Sequence, residues 1–321
     1  MTNNNLRLIN FSLSIVVPAY NESTNLIKFV ETLRLTVSKI TPLYEIIIIN
    51  DGSRDNTDDI CVQLAKDPGI RYLSFSRNFG KEAALSAGID HARGDAVLLI
   101  DADFQHPMEK LSEMCGLWQS GYDMVYGVIV DRDNESFLKR FGTRFFYSLM
   151  SAGTDVPIPQ NAGDFRWLDR KVVDALKTLP ERNRFMKGLY AWVGFKSIGL
   201  PFTPADRFSG VSSFKLTSLI KLALSGITAF STLPLRLWTF IGGFISLVAI
   251  SYGIYVVFET LIYGNPVGGW PTITVALMLF SGVQLLSIGI LGEYIGRIFD
   301  EVKQRPLYLI AKDYDNSSLD S

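Results

Sequence analysis

Between residues 12 and about 128, short apolar runs alternate with amphipathic stretches, and this alternation limits the chain to few architectures. Residues 13–17 read as a strand, after which Asn21 or Ser23 is placed to cap a helix running to about Ile40. Residues 45–50 include four consecutive isoleucines, a composition suited to a strand buried on both faces. Asp55 is placed to cap a helix through Leu64, and Pro68-Gly69 breaks it. Further strands are expected at residues 70–76, 96–100 and 123–128, separated by helices near 82–92 and 107–118. Strand and helix in alternation imply an α/β, Rossmann-like, mostly parallel sheet with helices on both faces.

Such sheets hold ligands at the carboxyl ends of their strands. There this chain places acids: Tyr20-Asn21-Glu22 after the first strand, Asp51-Gly52-Ser53 after the second, and Asp101-Ala102-Asp103-Phe104-Gln105 after the apolar run 96–100. Residues i and i+2 of an extended segment point the same way, so Asp101 and Asp103 can face one hard cation that prefers oxygen ligands. Helix capping is a sufficient account of Asp55 or Ser23. It does not explain Asp51 and Asp101, each of which follows its strand immediately. Carboxylates gathered at one edge repel one another unless a cation or donor groups compensate. The chain has no Gly-x-Gly-x-x-Gly or Walker-type phosphate loop, which points to metal-mediated phosphate binding and suits a nucleotide-sugar.

The carboxyl-terminal third differs. Residues 238–258 form a 21-residue stretch without a charge, and residues 270–292 one of 23. A hydrocarbon core roughly 30 Å thick needs about 20 helical residues, so each run is long enough to span it. Arg236 precedes the first run, and Arg297, Lys303 and Arg305 follow the second, so the positive-inside rule sets both ends of the hairpin in the cytoplasm. A pair of buried core helices is the competing account. Two amphipathic stretches are suited to the bilayer surface. Residues 135–150 mix phenylalanines with Lys139, Arg140 and Arg144, and residues 213–230 carry Lys215 and Lys221. The bland account of the first is a core helix with a solvated face.

Lys and Arg total 31 against 32 acidic residues, so no charge excess calls for nucleic acid. The two cysteines, Cys61 and Cys115, exclude a disulfide framework. The first ten residues are polar and run 13–17 is too short for a secretory leader, so none is expected. Two isolated histidines make a zinc site a poor reading: His91 is expected to end a helix on the surface and His106 merely to follow the acidic motif. Residues 313–321 read as a disordered tail. Glu293 and Arg297, four apart, are spaced to pair at the end of the second run.

The motifs Ile15-Val16-Val17-Pro18-Ala19-Tyr20-Asn21-Glu22, Asn50-Asp51-Gly52-Ser53 and Asp101-Ala102-Asp103 resemble the inverting glycosyltransferases of family 2, which have a GT-A fold. Ser76-Arg77-Asn78-Phe79-Gly80-Lys81 and Asn161-Ala162-Gly163-Asp164-Phe165-Arg166 are similar to the polyprenyl-phosphate branch, which holds dolichol-phosphate mannose synthase and the bacterial bactoprenol glucosyltransferases, the latter being nearest. The likeness covers nearly the whole chain. It implies a cytoplasmic catalytic domain at 1–212, juxtamembrane helices at 213–232, two transmembrane helices at 233–299 and a cytoplasmic tail at 300–321. Both termini would then be cytoplasmic, in a multi-pass protein of the inner (plasma) membrane.

The resemblance also implies roles. Pro18, Ala19, Tyr20, Glu22 and Asp51 would hold the base and ribose of a nucleotide-sugar, UDP-glucose being favoured, with Asp101 and Ala102 beside them. Lys81 is left between capping its helix and contacting the donor. Asp101, Asp103 and Gln105 would bind Mg²⁺ or Mn²⁺. Asp164 matches the residue usually assigned as base, and Arg207 an arginine that closes over phosphate. Arg132, Arg140, Arg144 and Lys215 are candidates for the phosphate of the acceptor, a polyprenyl (undecaprenyl) phosphate, and a homo-oligomer is admitted. One departure stands out: where a lysine commonly follows that arginine the chain has Ser213, with Lys215 the nearest substitute. A phosphate monoester has its second pKa at about 6, so a phosphate acceptor offers Asp164 little proton to remove, and Asp164 reads better as an orienting group. A processive polysaccharide synthase shares the fold and the acids, but usually carries Gln-x-x-Arg-Trp and more spans; Arg166-Trp167 here follows Asp164-Phe165. A non-catalytic sugar-nucleotide-binding membrane scaffold would tolerate loss of Asp103 or Gln105, and both are present.

Overall fold

A computed structural model describes residues 10–130, 162–182, 184–204 and 269–319, with position 159 and scattered positions between 242 and 263. Four parallel strands form its centre: β1 (Leu13–Ala19), β2 (Tyr44–Asn50), β3 (Ile70–Phe75) and β4 (Ala96–Leu99). Four more complete an eight-stranded mixed sheet: β5 (Met124–Ile129), β6 (Ala162–Asp169), β7 (Ser197–Phe202) and β8 (Ile310–Asn316). The spatial order is β7-β5-β6-β4-β1-β2-β3-β8. Strand β6 runs antiparallel to both β4 and β5 and so carries its residues into the middle of the sheet.

The apolar runs divide by parity, as a pleated strand requires. Ile15 and Val17 of β1, with Ile46 and Ile48 of β2, face one layer, packed by helices α1 (Leu26–Val37), α2 (Thr57–Leu64) and α4 (Leu111–Gln119). Val16, Ile47 and Ile49 face the other, packed by α3 (Lys81–His91) and the helices Arg170–Thr178 and Met186–Trp192. Both isoleucine pairs are fully buried, so this strand has no solvent face. Gly88 lets α3 sit directly on β1, since a Cβ there would collide with the Val16 side chain.

Two expectations need correction. Helix α1 begins at Leu26 behind Asn25, which makes no side-chain cap bond, and neither Asn21 nor Ser23 caps it. Asn21 instead adopts φ +57°, and its side chain accepts from the Arg54 N–H at 2.9 Å, tying the β1 loop to the β2 loop.

The second correction concerns residues 313–321, read as a disordered tail. Residues 310–316 form β8, the antiparallel edge strand on β3. Charge complementarity explains the docking: Arg71 pairs with Asp313 at 2.9 Å, Arg93 with Asp315 at 2.6 Å and Lys312 with Asp58 at 2.6 Å. Tyr314 stacks on Tyr72 and Tyr308 on Phe75. Acid-rich composition alone looks like solvated tail; opposite charges from β3, α2 and the turn after α3 make it a strand.

Beyond the sheet, the second uncharged run lies in a 33-residue helix, Trp270–Val302. Counted over the described residues alone, no helix is long and apolar enough to cross a membrane, and the fold by itself leaves the expected hairpin unestablished. Segments 135–150 and 213–230 and much of the first uncharged run lie outside the described residues.

Candidate active site

The parallel register brings the strand ends level. Ala19 pairs with Asn50, and the Ile100 N–H reaches the Val16 carbonyl, so the loops after β1, β2 and β4 open on one edge. Pro18 and the buried Ala19 close β1, and Tyr20 beyond them is exposed. Glu22 anchors the next turn: its N–H donates to Thr57 Oγ1 at 2.9 Å and its carbonyl accepts from Asn25 and Leu26. Ala102 is buried between the two aspartates of its motif.

Asp51 is buried, and both its oxygens are engaged. Oδ1 accepts from the Phe79 N–H at 2.6 Å and Oδ2 from the Gly80 N–H at 2.9 Å. Burial pushes its carboxyl pKa up, against the pull of those two donors. Asp51 thus clamps the loop from Ser76 to Gly80 onto the sheet edge. Gly52 permits the approach, because its φ is +63° and a Cβ would meet the backbone of Arg77 and Asn78.

Lys81, the first residue of α3, joins two carboxylates. Its Nζ lies 2.8 Å from Asp101 and 3.1 Å from Asp164. Burial works against ionisation of Asp101, yet Lys81 and then His106 outweigh it and hold the carboxyl well below the usual range. Burial likewise opposes ionisation of Asp164, and Lys81 and Lys187 overcome it. Burial alone would depress the Lys81 ammonium; its two carboxylates raise it instead. This cation is the compensation that clustered acids require.

Asp164 lies within β6 and shares a face with Arg166, two residues on. Arg166 is buried beneath it, its guanidinium 4.2 Å from the Tyr190 ring centre. On the opposite face His106 stacks on Phe165 with ring centres 4.8 Å apart, and its Nε2 is 3.3 Å from Asp101. His106 therefore does more than follow the acidic motif: it supports Asp101 from one side of the sheet as Lys81 does from the other. Glu82, beside Lys81, accepts from the Met186 N–H at 3.1 Å, and burial followed by the nearby Asp164 pushes it up to about 7. Sequence reasoning missed Glu82, Arg166 and the linking role of Lys81. The available signal was two charged residues, Asp164 and Arg166, two apart within the otherwise uncharged run 162–168.

Asp103 accepts from the Gln105 N–H at 3.0 Å across a turn in which Phe104 has φ +60°. Among the described residues no three His, Cys, Asp or Glu side chains gather as a metal-holding group. Two carboxylates and the Gln105 amide are nonetheless oxygen donors of the kind a hard divalent cation takes. Two buried atoms beside them, Asp164 Oδ1 and His106 Nδ1, find no hydrogen-bond partner among the described residues. The donor set fits a hard divalent cation. Arg132, Arg140, Arg144, Arg207 and Lys215 lie outside the described residues.

The chain as a whole is similar to known proteins. Residues 14–177 match glycosyl transferase family 2, and residues 233–298 match the GtrB C-terminal hairpin. The SfII prophage-derived bactoprenol glucosyl transferase of Shigella flexneri is 47% identical over 304 residues, covering 94% of this chain and 98% of that one. The prophage bactoprenol glucosyl transferase homolog of Escherichia coli K12 is 44% identical over 301 residues, with 94% and 98% covered. An uncharacterized glycosyltransferase of Synechocystis is 45% identical over 300 residues, with 93% and 94% covered.

Proposed function

The chain belongs to glycosyl transferase family 2, with the GT-A mixed sheet of a glycosyltransferase, and we propose that it transfers glucose from UDP-glucose to a polyprenyl phosphate at the cytoplasmic face of a membrane. The sugar and acceptor follow relatives that share 44–47% identity along 98% of their length and are named bactoprenol glucosyl transferases. The observation that carries the reading is the edge where Lys81 bridges Asp101 and Asp164, next to Asp103 and Gln105.

In this reaction a phosphate oxygen of the acceptor attacks the anomeric carbon as the bond to the diphosphate breaks, inverting the configuration and releasing UDP. Asp101, Asp103 and Gln105 would hold the divalent ion. Bound there, the ion supplies Lewis acidity to the departing diphosphate, worth several kcal/mol. Lys81 keeps Asp101 and Asp164 ionised until the donor arrives, and its ammonium is placed to meet the incoming phosphate charge. The acceptor is mostly deprotonated near neutral pH, its second pKa being about 6, so Asp164 orients the site and the basic groups around it. Asp51, with the Phe79 and Gly80 N–H groups on its carboxylate, would fix the loop end that borders the nucleotide.

A membrane-embedded hairpin brings the acceptor to this edge. Supporting it are the uncharged run 270–292, the basic residues that follow, and a helix whose apolar side chains face outward: Leu277 is 62% exposed and Leu285 70%. A monomer in water would not leave such a surface uncovered. The test is to offer the purified full-length chain several radiolabelled nucleotide-sugars with polyprenyl phosphate and Mn²⁺, and to extract the lipid. Label from UDP-glucose entering the lipid fraction, and stopping in excess chelator, is the expected result. Unlabelled lipid with every donor, or full-speed transfer in chelator, overturns the reading.

A further inference from the structure

A cleft of about 1020 Å³ opens where the helix Trp270–Val302 meets the catalytic domain, and it contains none of Asp101, Asp103 or Asp164. Four basic residues line it, Arg77, Arg182, Lys303 and Arg305, against one acidic residue, Asp300. Among the described residues none of the four basic side chains forms an ion pair. The Glu301 carboxylate beside the cleft accepts from the Arg182 backbone N–H at 2.9 Å, and Arg77 donates to the Asn78 carbonyl, so the cleft keeps an excess of positive charge that attracts an anion.

The shape of the cleft specifies the anion further. Its helical wall is one stripe, Gly292, Gly296, Phe299 and Lys303, at spacings of four, three and four. Gly292 and Gly296 have nothing within 4 Å of where a Cβ would stand, so the upper part of the stripe is an open trough without side chains. Its lower part is basic: Lys303 lies over the Phe299 ring at 3.9 Å, and across the cleft Arg77 lies over Phe79 at 4.0 Å. Gln304, with φ +48°, turns the chain so that Arg305 and Leu307 close the bottom. From Gly292 to Lys303 the stripe is about 16 Å long at 1.5 Å per residue. Its upper end is where the uncharged run 270–292 stops, which is the level of the headgroups if that run spans the bilayer.

We propose that this cleft binds the anionic headgroup of a bilayer phospholipid, with the phosphate among Arg77, Arg182, Lys303 and Arg305 and the first part of an acyl chain along Gly292 and Gly296. The proposal rests on the membrane reading above. The occupant is a non-reacting lipid, because no lining residue belongs to the carboxylate cluster. Its consequence reaches the active site through one loop: Arg77 and Phe79 line the cleft, and the Phe79 N–H is held by Asp51. A bound headgroup would thus fix the loop that Asp51 clamps, and tie catalytic competence to an anionic membrane surface.

The test uses the full-length chain in neutral detergent, titrated with phosphatidylglycerol or phosphatidylcholine and observed by native mass spectrometry. The wild type is expected to retain phosphatidylglycerol roughly tenfold more tightly than phosphatidylcholine, and the double variant K303E/R305E to lose at least that preference. A second variant, G296L, fills the trough while keeping the charges, and is expected to weaken phosphatidylglycerol retention as well. Equal retention of the two lipids, or unaltered retention by the double variant, overturns the proposal. So does displacement of phosphatidylglycerol by equimolar polyprenyl phosphate, which would make the cleft an acceptor site, or by inorganic phosphate, which would remove the lipid chain from recognition. Cell fractionation separates the underlying premise: a chain that does not sediment with membranes sinks the membrane reading itself, whereas a membrane-embedded chain indifferent to these variants sinks only the lipid site.

Discussion

The Lys81 ammonium stands 3.1 Å from the Asp164 carboxylate, although one residue opens a helix and the other lies inside a strand far along the chain. The same ammonium holds Asp101 at 2.8 Å, so two acids of the site share one cation. Removing that cation leaves like charges facing each other in a partly buried place. Lys81→Met is expected to lower kcat/KM on the order of 100-fold or more, the scale of losing one charged stabilising group. It should also raise the carboxylate pKa values, because Lys81 is the largest of the charges that hold them down. The acid limb of the pH–rate profile then moves to higher pH. A profile with an unmoved acid limb would show that Lys81 does not set their ionisation.

Asp103 and Asp164 are expected to separate in their effects. Asp103→Asn removes a ligand from the proposed ion site and should reduce glycolipid formation by orders of magnitude. Asp164→Asn should cost less, and the wild-type rate should show no rise that the variant loses, because the acceptor phosphate, with a second pKa of about 6, needs no strong base. Equal losses, with a wild-type rate that rises through the titration of Asp164, would assign it the role of base.

Gly52 is required twice over, by its φ of +63° and by the Arg77–Asn78 backbone that a Cβ would strike. Gly52→Ala is expected to destabilise the domain by about 1–3 kcal/mol, the range for a strained left-handed residue. It should also weaken donor binding, because the loop clamped by Asp51 must move. Thermal unfolding and UDP titration measure the two effects, and a variant normal in both would refute this account of the loop.

Truncation before Tyr308 would strip β8 from the sheet. Arg71 would keep its nearly buried place without Asp313 and Asp315, and β3 would become an open edge. A lower melting temperature and concentration-dependent aggregation are expected. Unchanged melting would mean that the terminal strand adds nothing to the fold. The milder D313A/D315A variant should fall between the two, since it removes the charges and keeps the ladder.

Glu82 offers a stability test with a definite sign. Its pKa in the fold is pushed up to about 7, above the value of about 4.3 for a free glutamate, so the folded state favours the protonated carboxyl. That contribution is complete below about pH 4.3 and is lost as the pH rises through about 7. Glu82→Gln, which stays neutral, should therefore gain on the wild type in melting temperature between pH 5 and pH 8. A difference that is flat or shrinks over that range would contradict the assignment.

Local pattern in the sequence determined much of this protein. Continuous apolar runs located β1 to β5, and the point where each run gives out located Asp51 and Asp101, because a strand end is a property of a few neighbouring residues. The two uncharged runs were equally plain for the same reason. What only the tertiary structure decided is which distant segments meet. Nothing local to residues 162–169 says that they enter antiparallel between β4 and β5, yet that insertion sets Asp164 against Lys81. Nothing local to residues 310–316 says strand, since their charges look like solvated tail until Arg71 and Arg93 pair with the acids and Asp58 with Lys312. His106, too, acquired a role only when Phe165 came to lie beneath its ring. Periodicity records how a segment meets solvent and core, while pairing across the sheet depends on complementary partners far away in the chain, and only folding brings those together.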